Sequence, residues 1–476
     1  MKNVLSLFLI QGLCLAISCS KNGSGDNGEL TLLSVEGGTI VNKSGEEVNF
    51  KGLVITNESW GDWEWPTSDE LEAAGEFPFL PQKKIPDHTL TEEDFENIKE
   101  ISPPLIRYEL SYNVFNPDNP LRNQNMERLK KDVEHFNSSG IYVVLVLHYG
   151  PGLNLARAEY ENKKDGVDRT PTIFENSAIF ERHAAWWEYV AAEFRENSGI
   201  AAYQIYVEPR IPAESDGGWA IFEERTIELC NRITAVDPTH VLVVHYPNSR
   251  EANPGEQYWD SVDGKMVTDA GEQGIIWRED SDFISGSIRI FPLVDLPNIV
   301  YAFSAYTPYS FCSEGADKDY DGKPFDSDAF KAAMQSYVKP FADFGEEHNV
   351  PILVDEYGVN QQQTVGARLE WLKAVHEVFD SFGLPSWFYQ YKGAFDPSNG
   401  SLFNYGIYSY FVFDEFRSEF VISDTDYTYI GEAGDEIYKN GFDDIFRKYF
   451  WDSGTVKTLS LTDNKELHDY MKAYLK

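Results

Sequence analysis

Two glutamates each follow an apolar run, where burying a carboxylate costs free energy unless it is paired or has a function. Glu208 follows Tyr-Gln-Ile-Tyr-Val and precedes Pro209, and Glu356 follows Pro-Ile-Leu-Val-Asp with Gly358 close behind. For a single glutamate, a place on a surface loop is the more common interpretation. Two in the same apolar context weaken that interpretation, because buried carboxylates need a partner or a function. Such a pair can act as nucleophile and as general acid and base, as retaining cleavage of a glycosidic bond requires.

Further polar and aromatic residues close apolar runs in the same way. Arg107 follows Pro-Leu-Ile, His148 follows Val-Leu-Val-Leu, Tyr306 ends Val-Tyr-Ala-Phe-Ser-Ala-Tyr, and Trp387 lies in the last apolar run. If these runs are parallel strands, their carboxyl ends meet at one face. The four residues are therefore expected to line one pocket with the two glutamates.

Eight short apolar runs alternate with helix-like stretches. The runs are residues 50–55, 105–110, 141–148, 202–207, 241–245, 299–306, 351–357 and 385–391. Continuous apolar runs are typical of parallel strands that are buried on both faces. Amphipathic stretches at 127–138, 178–197, 223–236 and 369–382 predict helices between them. The pattern predicts an α/β fold, a (β/α)₈ TIM barrel.

The longest inserts follow strands rather than helices. They cover residues 61–88, 150–172, 210–218, 247–298, 308–328 and 394–446. In a barrel these long βα loops form the rim where active sites lie. Residues 37–48 predict a hairpin with a turn at 43–45 that closes the barrel floor, and residues 455–476 a last outer element.

The amino terminus predicts export and anchoring. An apolar run at 4–17 is too short to cross a bilayer and is followed by Ser18-Cys19, which resembles a lipoprotein cleavage box. An ordinary signal peptide cut elsewhere is the alternative. The domains expected are a signal peptide at 1–18, lipidated Cys19 with a polar tether at 19–29, and one barrel domain at 30–476. The protein is then a membrane-anchored lipoprotein at the bacterial cell surface or in the periplasm.

Composition excludes several classes of partner. With 78 Asp and Glu against 40 Lys and Arg, the formal net charge is −38. Such a charge repels nucleic acid and strongly anionic polysaccharides. An apolar fraction of 42%, with 14% aromatic residues, supplies a large core and excludes global disorder.

Metal and disulfide signals are weak. Beyond the amino terminus, Cys230 and Cys312 form no close pair, so two buried free thiols are favoured over one bridge. His183, His240 and His245 form no metal-ligand set and are interpreted as ordinary core or surface histidines. Residues 317–328 (DKDYDGKPFDSD) fit a calcium loop, although an acidic turn is the simpler interpretation. Its candidate ligands are Asp317, Asp319, Asp321 and Asp328.

The chain resembles the family-five cellulase and mannanase group of glycoside hydrolases over nearly all of its predicted body. The matching segments are 105–112 (LIRYELSY), 143–149 (VVLVLHY), 204–209 (QIYVEP), 301–316 (YAFSAYTPYSFCSEGA), 351–358 (PILVDEYG) and 387–393 (WFYQYKG). The resemblance implies that Glu208 is the acid/base and Glu356 the nucleophile. It also implies that Arg107 supports the nucleophile, His148 lines the sugar site at the cleaved bond, Tyr306 hydrogen-bonds Glu356 and Trp387 is an aromatic platform. A neutral glycan is then the expected partner, with no cofactor and no obligatory protein partner.

Two positions depart from the family pattern. Val207 replaces the Asn that precedes the acid/base, and Ser304 replaces the His two residues before the strand-six Tyr. Three explanations compete: the bound sugar differs at C2, other groups replace the lost ones, or activity is low or absent. The last possibility leaves a non-hydrolytic glycan-binding protein as the alternative class. On the view that Val207 walls the sugar site, Val207→Asn is expected to change sugar preference or raise cleavage of plain β-glucan.

Overall fold

Eight parallel strands form the centre of the computed structural model. The structure describes residues 30–55, 90, 92–112, 115, 117, 122–150, 153, 172–213, 217–251, 257–260, 265–268, 275–277, 290–312, 327–359, 363–393, 406–409 and 465–476. The barrel strands are β1 (Gly52–Ile55), β2 (Leu105–Ser111), β3 (Tyr142–Tyr149), β4 (Ile200–Gln204), β5 (Val241–His245), β6 (Ile299–Ser304), β7 (Ile352–Tyr357) and β8 (Ser386–Phe388).

The barrel closes in sequence order. Each strand pairs in parallel with its chain neighbours, and β8 pairs with β1 through Trp387 beside Gly52. All eight predicted runs contain a barrel strand, although the strand ends differ by a few residues. The predicted (β/α)₈ barrel is confirmed.

Alternating side chains along each strand build two apolar layers. On β3, Val143, Leu145 and Leu147 pack outward against the helices, whereas Val144 and Val146 fill the barrel interior. The period of two is the reason why a strand can serve both layers. The same alternation aims polar residues inward at the carboxyl ends of the strands.

Helices cover the outside of the barrel. They are α1 (Glu92–Ile101), α2 (Arg122–Ser138), α3 (Ser177–Phe194), α4 (Gly218–Val236), α5 (Ser327–His348), α6 (Val365–Ser381) and α7 (Lys465–Tyr474). Asn176 caps α3 by accepting from the backbone N–H groups of Ala178 and Ile179, and Thr364 caps α6. The predicted helices are confirmed, but α2, α4 and α6 begin several residues earlier than the apolar pattern indicates.

Short elements complete the description. A hairpin of Ser34–Glu36 and Thr39–Val41 precedes the barrel, and its Leu33 and Ile40 join the interior layer, as predicted for a floor. Its tight turn lies at Gly37-Gly38, and a second turn follows at 43–45. The remaining short elements are the strands Arg210–Ile211, Ser249–Glu251, Gln257–Asp260, Lys265–Thr268, Ile275–Trp277, Lys392–Gly393 and Tyr408–Ser409 and the helical turn Tyr309–Cys312. Cys230 and Cys312 are buried free thiols.

Several predictions fall outside the described residues. These are the signal peptide, Cys19 and its tether, most of the long rim loops, and Asp317, Asp319 and Asp321 of the calcium loop. Asp328 is described and lies exposed in the first turn of α5. Among the helices of the described part, none is both long and apolar enough to span a membrane.

Candidate active site

A buried arginine lies at the centre of the carboxyl-terminal end of the barrel. Arg107 on β2 is fully buried, and its Nη2 lies 2.9 Å from Glu356 Oε1. Its Nη1 donates to Glu109 Oε1 at 2.5 Å, and its Nε donates to Gln204 Oε1 at 2.7 Å. Burial opposes the guanidinium charge, but the carboxylates of Glu356 and Glu109 raise the pKa of Arg107 above its usual value. The arginine stays charged and fixes its neighbours.

Strand β2 supplies both Arg107 and Glu109, because residues two apart on a strand point to the same face. Arg107 and Glu109 point to the same face of a strand whose alternate residues, Ile106 and Tyr108, pack outward. Glu109 was missed in the sequence, although its spacing from Arg107 is the signal that finds it. Gln204, which lies four residues before Glu208, was also missed in the sequence.

Strand β7 brings two consecutive acids into the interior. Val354 pairs with Phe303 and Glu356 with Ser304, so Asp355 is an extra residue in the register. Such a bulge re-aims side chains at the end of a strand. Glu356 therefore reaches Arg107, while Asp355 accepts from Gln204 Nε2 at 2.5 Å and lies 3.7 Å from Arg107 Nη2.

The second oxygen of Glu356 has its own donor. The Tyr306 hydroxyl, from the segment after β6, donates to Glu356 Oε2 at 3.1 Å. This is the contact that the resemblance implies. The ring of the half-buried Tyr389 meets Tyr306 edge-on, with centroids 6.3 Å apart. Glu356 is thus held by one cation and one hydroxyl beside an aromatic pair.

Glu208 lies beyond the end of β4, partly exposed, with a backbone φ of 42°. A residue other than glycine rarely adopts this left-handed region, and such strain is often found at functional sites. Desolvation is the main cause of the raised pKa of Glu356, and the charge of Glu208 raises it further.

His148 at the end of β3 joins the same cluster. Its Nδ1 lies 2.6 Å from Glu109 Oε1 and 4.0 Å from Glu356 Oε1. Burial disfavours the imidazolium, but the Glu109 carboxylate raises the pKa of His148 overall. Ligand atoms of Glu109, His148 and Glu356 lie close enough together to hold a metal ion. Arg107 already contacts both carboxylates, however, and its charge opposes a second cation there.

His245 is the site residue that the sequence interpretation missed most clearly. It ends β5, fully buried, with Nε2 3.1 Å from Asp355 Oδ1 and 3.2 Å from Ser304 Oγ. The sequence interpretation of His245 as an ordinary core or surface histidine allowed for its burial but did not give these partners. Ser304 is small enough to leave room for this ring, so a histidine from a neighbouring strand lies beside the position where the family pattern has its own.

The predicted platform at Trp387 is wrong. Trp387 is 0% exposed, its Nε1 donates to the Phe50 carbonyl at 2.8 Å, and it belongs to the interior layer of the barrel. Gly52 allows this packing, because a Cβ there would meet Leu105 and Trp387 atoms at 2.3 and 2.9 Å. The aromatic ring that does reach the site from this strand end is Tyr389, two residues later.

Val207 lies in the apolar interior rather than in a sugar-lining wall. It is 1% exposed and belongs to the same cluster as Trp387. We therefore expect Val207→Asn to bury an amide among apolar groups and to lower the free energy of unfolding by roughly 1–3 kcal/mol. Urea unfolding measures this. Wild-type stability combined with a higher kcat/KM on cello-oligosaccharides would show instead that position 207 reaches the sugar.

Burial makes Glu356 hard to ionise. Desolvation raises its pKa from 4.5 to about 7, against the opposing charges of Arg107 and His148. A raised carboxyl pKa stabilises the fold below the unfolded pKa, and this stabilisation is lost as the pH rises through the folded pKa. The difference corresponds to on the order of 3 kcal/mol.

We therefore expect Glu356→Gln, which mimics the protonated acid, to be more stable than wild type at pH 8 and similar at pH 4.5. Urea unfolding at the two pH values gives the comparison, with the exposed Glu196→Gln as the control. A constant difference between wild type and Glu356→Gln across this range would contradict the raised pKa.

The sequence matches the family model described as Cellulase (glycosyl hydrolase family 5) over residues 76–392. The chain belongs to this family. The protein is thus a glycoside hydrolase, and the cluster around Arg107 lies at the barrel end where hydrolases of this fold act.

Individual relatives of this family 5 protein are distant. A β-xylosidase from Phanerodontia chrysosporium is 26% identical over 235 residues, which are 45% of this chain and 46% of that protein. The match therefore spans about half the length of that relative. Among solved structures, Thermotoga maritima Cel5A with mannotriose is 14% identical, with a TM-score of 0.46 over 72% of this chain and 90% of its own. CcsZ from Clostridioides difficile is 15% identical, with a TM-score of 0.46 over 75% and 93%.

Proposed function

We propose that this family 5 protein is a retaining β-glycosidase that hydrolyses a neutral β-linked polysaccharide or oligosaccharide through a covalent glycosyl-enzyme. The observation that carries the proposal is the double support of Glu356 by Arg107 at 2.9 Å and Tyr306 at 3.1 Å. These contacts orient a buried carboxylate whose charge is matched by a fixed guanidinium. That is the arrangement an attacking nucleophile needs.

The first step forms the glycosyl-enzyme. Glu356 attacks the anomeric carbon while Glu208 donates its proton to the glycosidic oxygen, so that the leaving sugar departs as a neutral alcohol. Arg107 and Tyr306 hold the attacking carboxylate, and His148 Nδ1 lies 4.0 Å from Glu356 Oε1. The carbon is inverted once and is now esterified to Glu356.

The second step releases the sugar. Glu208, now a carboxylate, takes a proton from water, and the water oxygen attacks the anomeric carbon. The bond to Glu356 breaks, and the carboxylate returns to Arg107 and Tyr306. A second inversion restores the β configuration, and Glu208 is again protonated for the next cycle.

The substrate class follows from charge and from the relatives. A net charge of −38 disfavours polyanions, so neutral glycans are the candidates. The resemblance to the cellulase and mannanase group makes β-glucan and β-mannan candidates, and the name of the β-xylosidase relative adds β-xylan.

A panel of these three glycans tests the proposal. Wild type and Glu356→Ala are compared by release of reducing ends and by binding to the same polymers. Cleavage by wild type alone supports the hydrolase. Equal binding by both proteins without cleavage by either would overturn it in favour of a glycan-binding protein.

We also propose that the chain is exported and anchored through a lipid on Cys19. The support is the apolar run at 4–17 followed by Ser18-Cys19 and a polar stretch to residue 29. Labelled palmitate should be incorporated by the full chain in a bacterial host and not by Cys19→Ala. Equal labelling of both proteins would overturn the proposal.

A further inference from the structure

His245 contacts the backbone of Glu208 and the side chain of Asp355, the residue before Glu356. On one side its Nε2 lies 3.1 Å from Asp355 Oδ1, and Asp355 directly precedes Glu356 on β7. On the other side the backbone N–H of Glu208 donates to His245 Nδ1 at 3.3 Å, and the Tyr246 carbonyl oxygen lies 2.5 Å from the same nitrogen. The ring therefore spans the gap between the strand that carries Glu356 and the peptide that carries Glu208.

The Asp355 side of this link is rigid. Asp355 is fully buried and also accepts from Gln204 Nε2 at 2.5 Å, while Gln204 accepts from Arg107. Each partner is thus fixed by another polar contact. A buried network of this kind has few alternative arrangements, because any broken contact leaves a desolvated polar group.

The two neighbours of Nδ1 require opposite states of the ring. The Tyr246 carbonyl accepts only from a protonated Nδ1, whereas the Glu208 N–H needs an unprotonated Nδ1 that can accept. A hydrogen bond to the Glu208 peptide therefore requires the neutral ring with its proton on Nε2, which donates to Asp355. A ring bonded to Asp355 and Glu208 in this way cannot rotate without losing both partners.

The Glu208 side is where such a link is needed. With a φ of 42°, Glu208 adopts a backbone conformation that residues other than glycine seldom hold unless their surroundings impose it. β4 ends at Gln204 and strand pairing resumes only at Arg210, so Glu208 lies in the unpaired link between them. The His245 ring packs directly against its nitrogen.

We propose that His245, paired with Asp355, is a positioning residue that holds the Glu208 peptide at a fixed place relative to Glu356, so that the Glu208 carboxyl reaches the glycosidic oxygen. The inference rests on the proposed function, since it assigns Glu208 the acid role. His245 need not touch the sugar.

Leaving-group dependence tests this role. Acid catalysis matters for a sugar or alkyl leaving group and matters little for 2,4-dinitrophenolate, which departs without a proton. Each variant is assayed on a β-linked disaccharide and on the matching dinitrophenyl β-glycoside. The ratio of the two kcat/KM values does not depend on how much of a sample is folded, because both substrates are assayed on one sample.

We expect His245→Gln to lower kcat/KM on the disaccharide by roughly 10–100-fold and on the dinitrophenyl glycoside by less than about threefold. Asp355→Asn, which keeps the shape of the side chain, should change the ratio in the same direction. The matched control is His240→Gln, a buried histidine next to the other end of β5 that contacts Asp237. Its ratio should equal that of wild type.

The outcomes separate the two proposals. Glu208→Ala serves as the benchmark, and a large shift in its ratio supports the acid assignment. Suppose that Glu208→Ala shifts the ratio but His245→Gln and Asp355→Asn leave it unchanged, either because both activities fall by the same factor or because neither falls. The positioning role of His245 is then overturned, while the proposed function stands. If Glu208→Ala itself leaves the ratio unchanged, the acid assignment fails and the role of His245 fails with it.

Discussion

Glu356→Ala should reduce the turnover of β-glycosides by roughly 10⁴-fold or more, because it removes the group that forms the glycosyl-enzyme. Azide should restore part of the activity, since the shortened side chain leaves space for a small anion beside Arg107. The product should be the α-glycosyl azide, because a single displacement inverts the anomeric carbon. Steady-state kinetics with and without azide, followed by NMR of the product, measure both effects.

The control for this prediction is Glu347→Ala, which changes an exposed glutamate near the end of α5. Its activity should match that of wild type and should not respond to azide. Full activity of Glu356→Ala without azide would contradict the assignment of the nucleophile.

Glu208→Ala should show a different pattern of loss. We expect kcat/KM on poor leaving groups to fall by roughly 10²–10⁴-fold, the usual contribution of general acid–base catalysis, while dinitrophenyl glycosides still form the glycosyl-enzyme. That intermediate should accumulate, because no base activates water, so a burst of dinitrophenolate should precede a slow steady state.

Azide separates the roles of the two glutamates. With Glu208→Ala it should attack the glycosyl-enzyme and give the β-glycosyl azide, because two displacements restore the configuration. Formation of the α-azide by both variants would contradict the division of roles between Glu208 and Glu356. Loss of activity by the same factor on every substrate would contradict the acid role of Glu208.

The barrel and its central arginine were predictable from local pattern. Apolar runs locate β2 and β7, and the charged residue within the first run and near the end of the second gives Arg107 and Glu356. Tyr306 follows from the same logic, and its hydroxyl lies 3.1 Å from Glu356. These predictions succeed because the position of a residue along a buried parallel strand fixes the end of the barrel at which it lies.

The rest of the cluster depends on geometry that single runs do not carry. Asp355 enters the interior only because β7 bulges against β6, and a bulge is a property of two paired strands. His245 closes a run like any core histidine, and the partners that tie it to the cluster lie 37 and 110 residues away in sequence.

Trp387 was predicted in the site but lies outside it. An aromatic residue near the end of a strand can fill the barrel or face the rim, and a shift of two residues decides between these positions. Here Gly52 leaves the interior space that Trp387 fills, and Tyr389 reaches the rim. Complementarity between β8 and β1 settles the choice, and no pattern within β8 alone reveals it.

The most direct test of the central claim is to trap the glycosyl-enzyme. A 2-deoxy-2-fluoro β-glycoside of a sugar that the wild type cleaves, with dinitrophenolate as leaving group, slows hydrolysis of the intermediate more than its formation. Mass spectrometry of the digested protein should then show one fluoroglycosyl group on the peptide that contains Glu356, with loss of activity in proportion to labelling. A label on another residue, or cleavage of the reagent without any covalent adduct, would contradict the account.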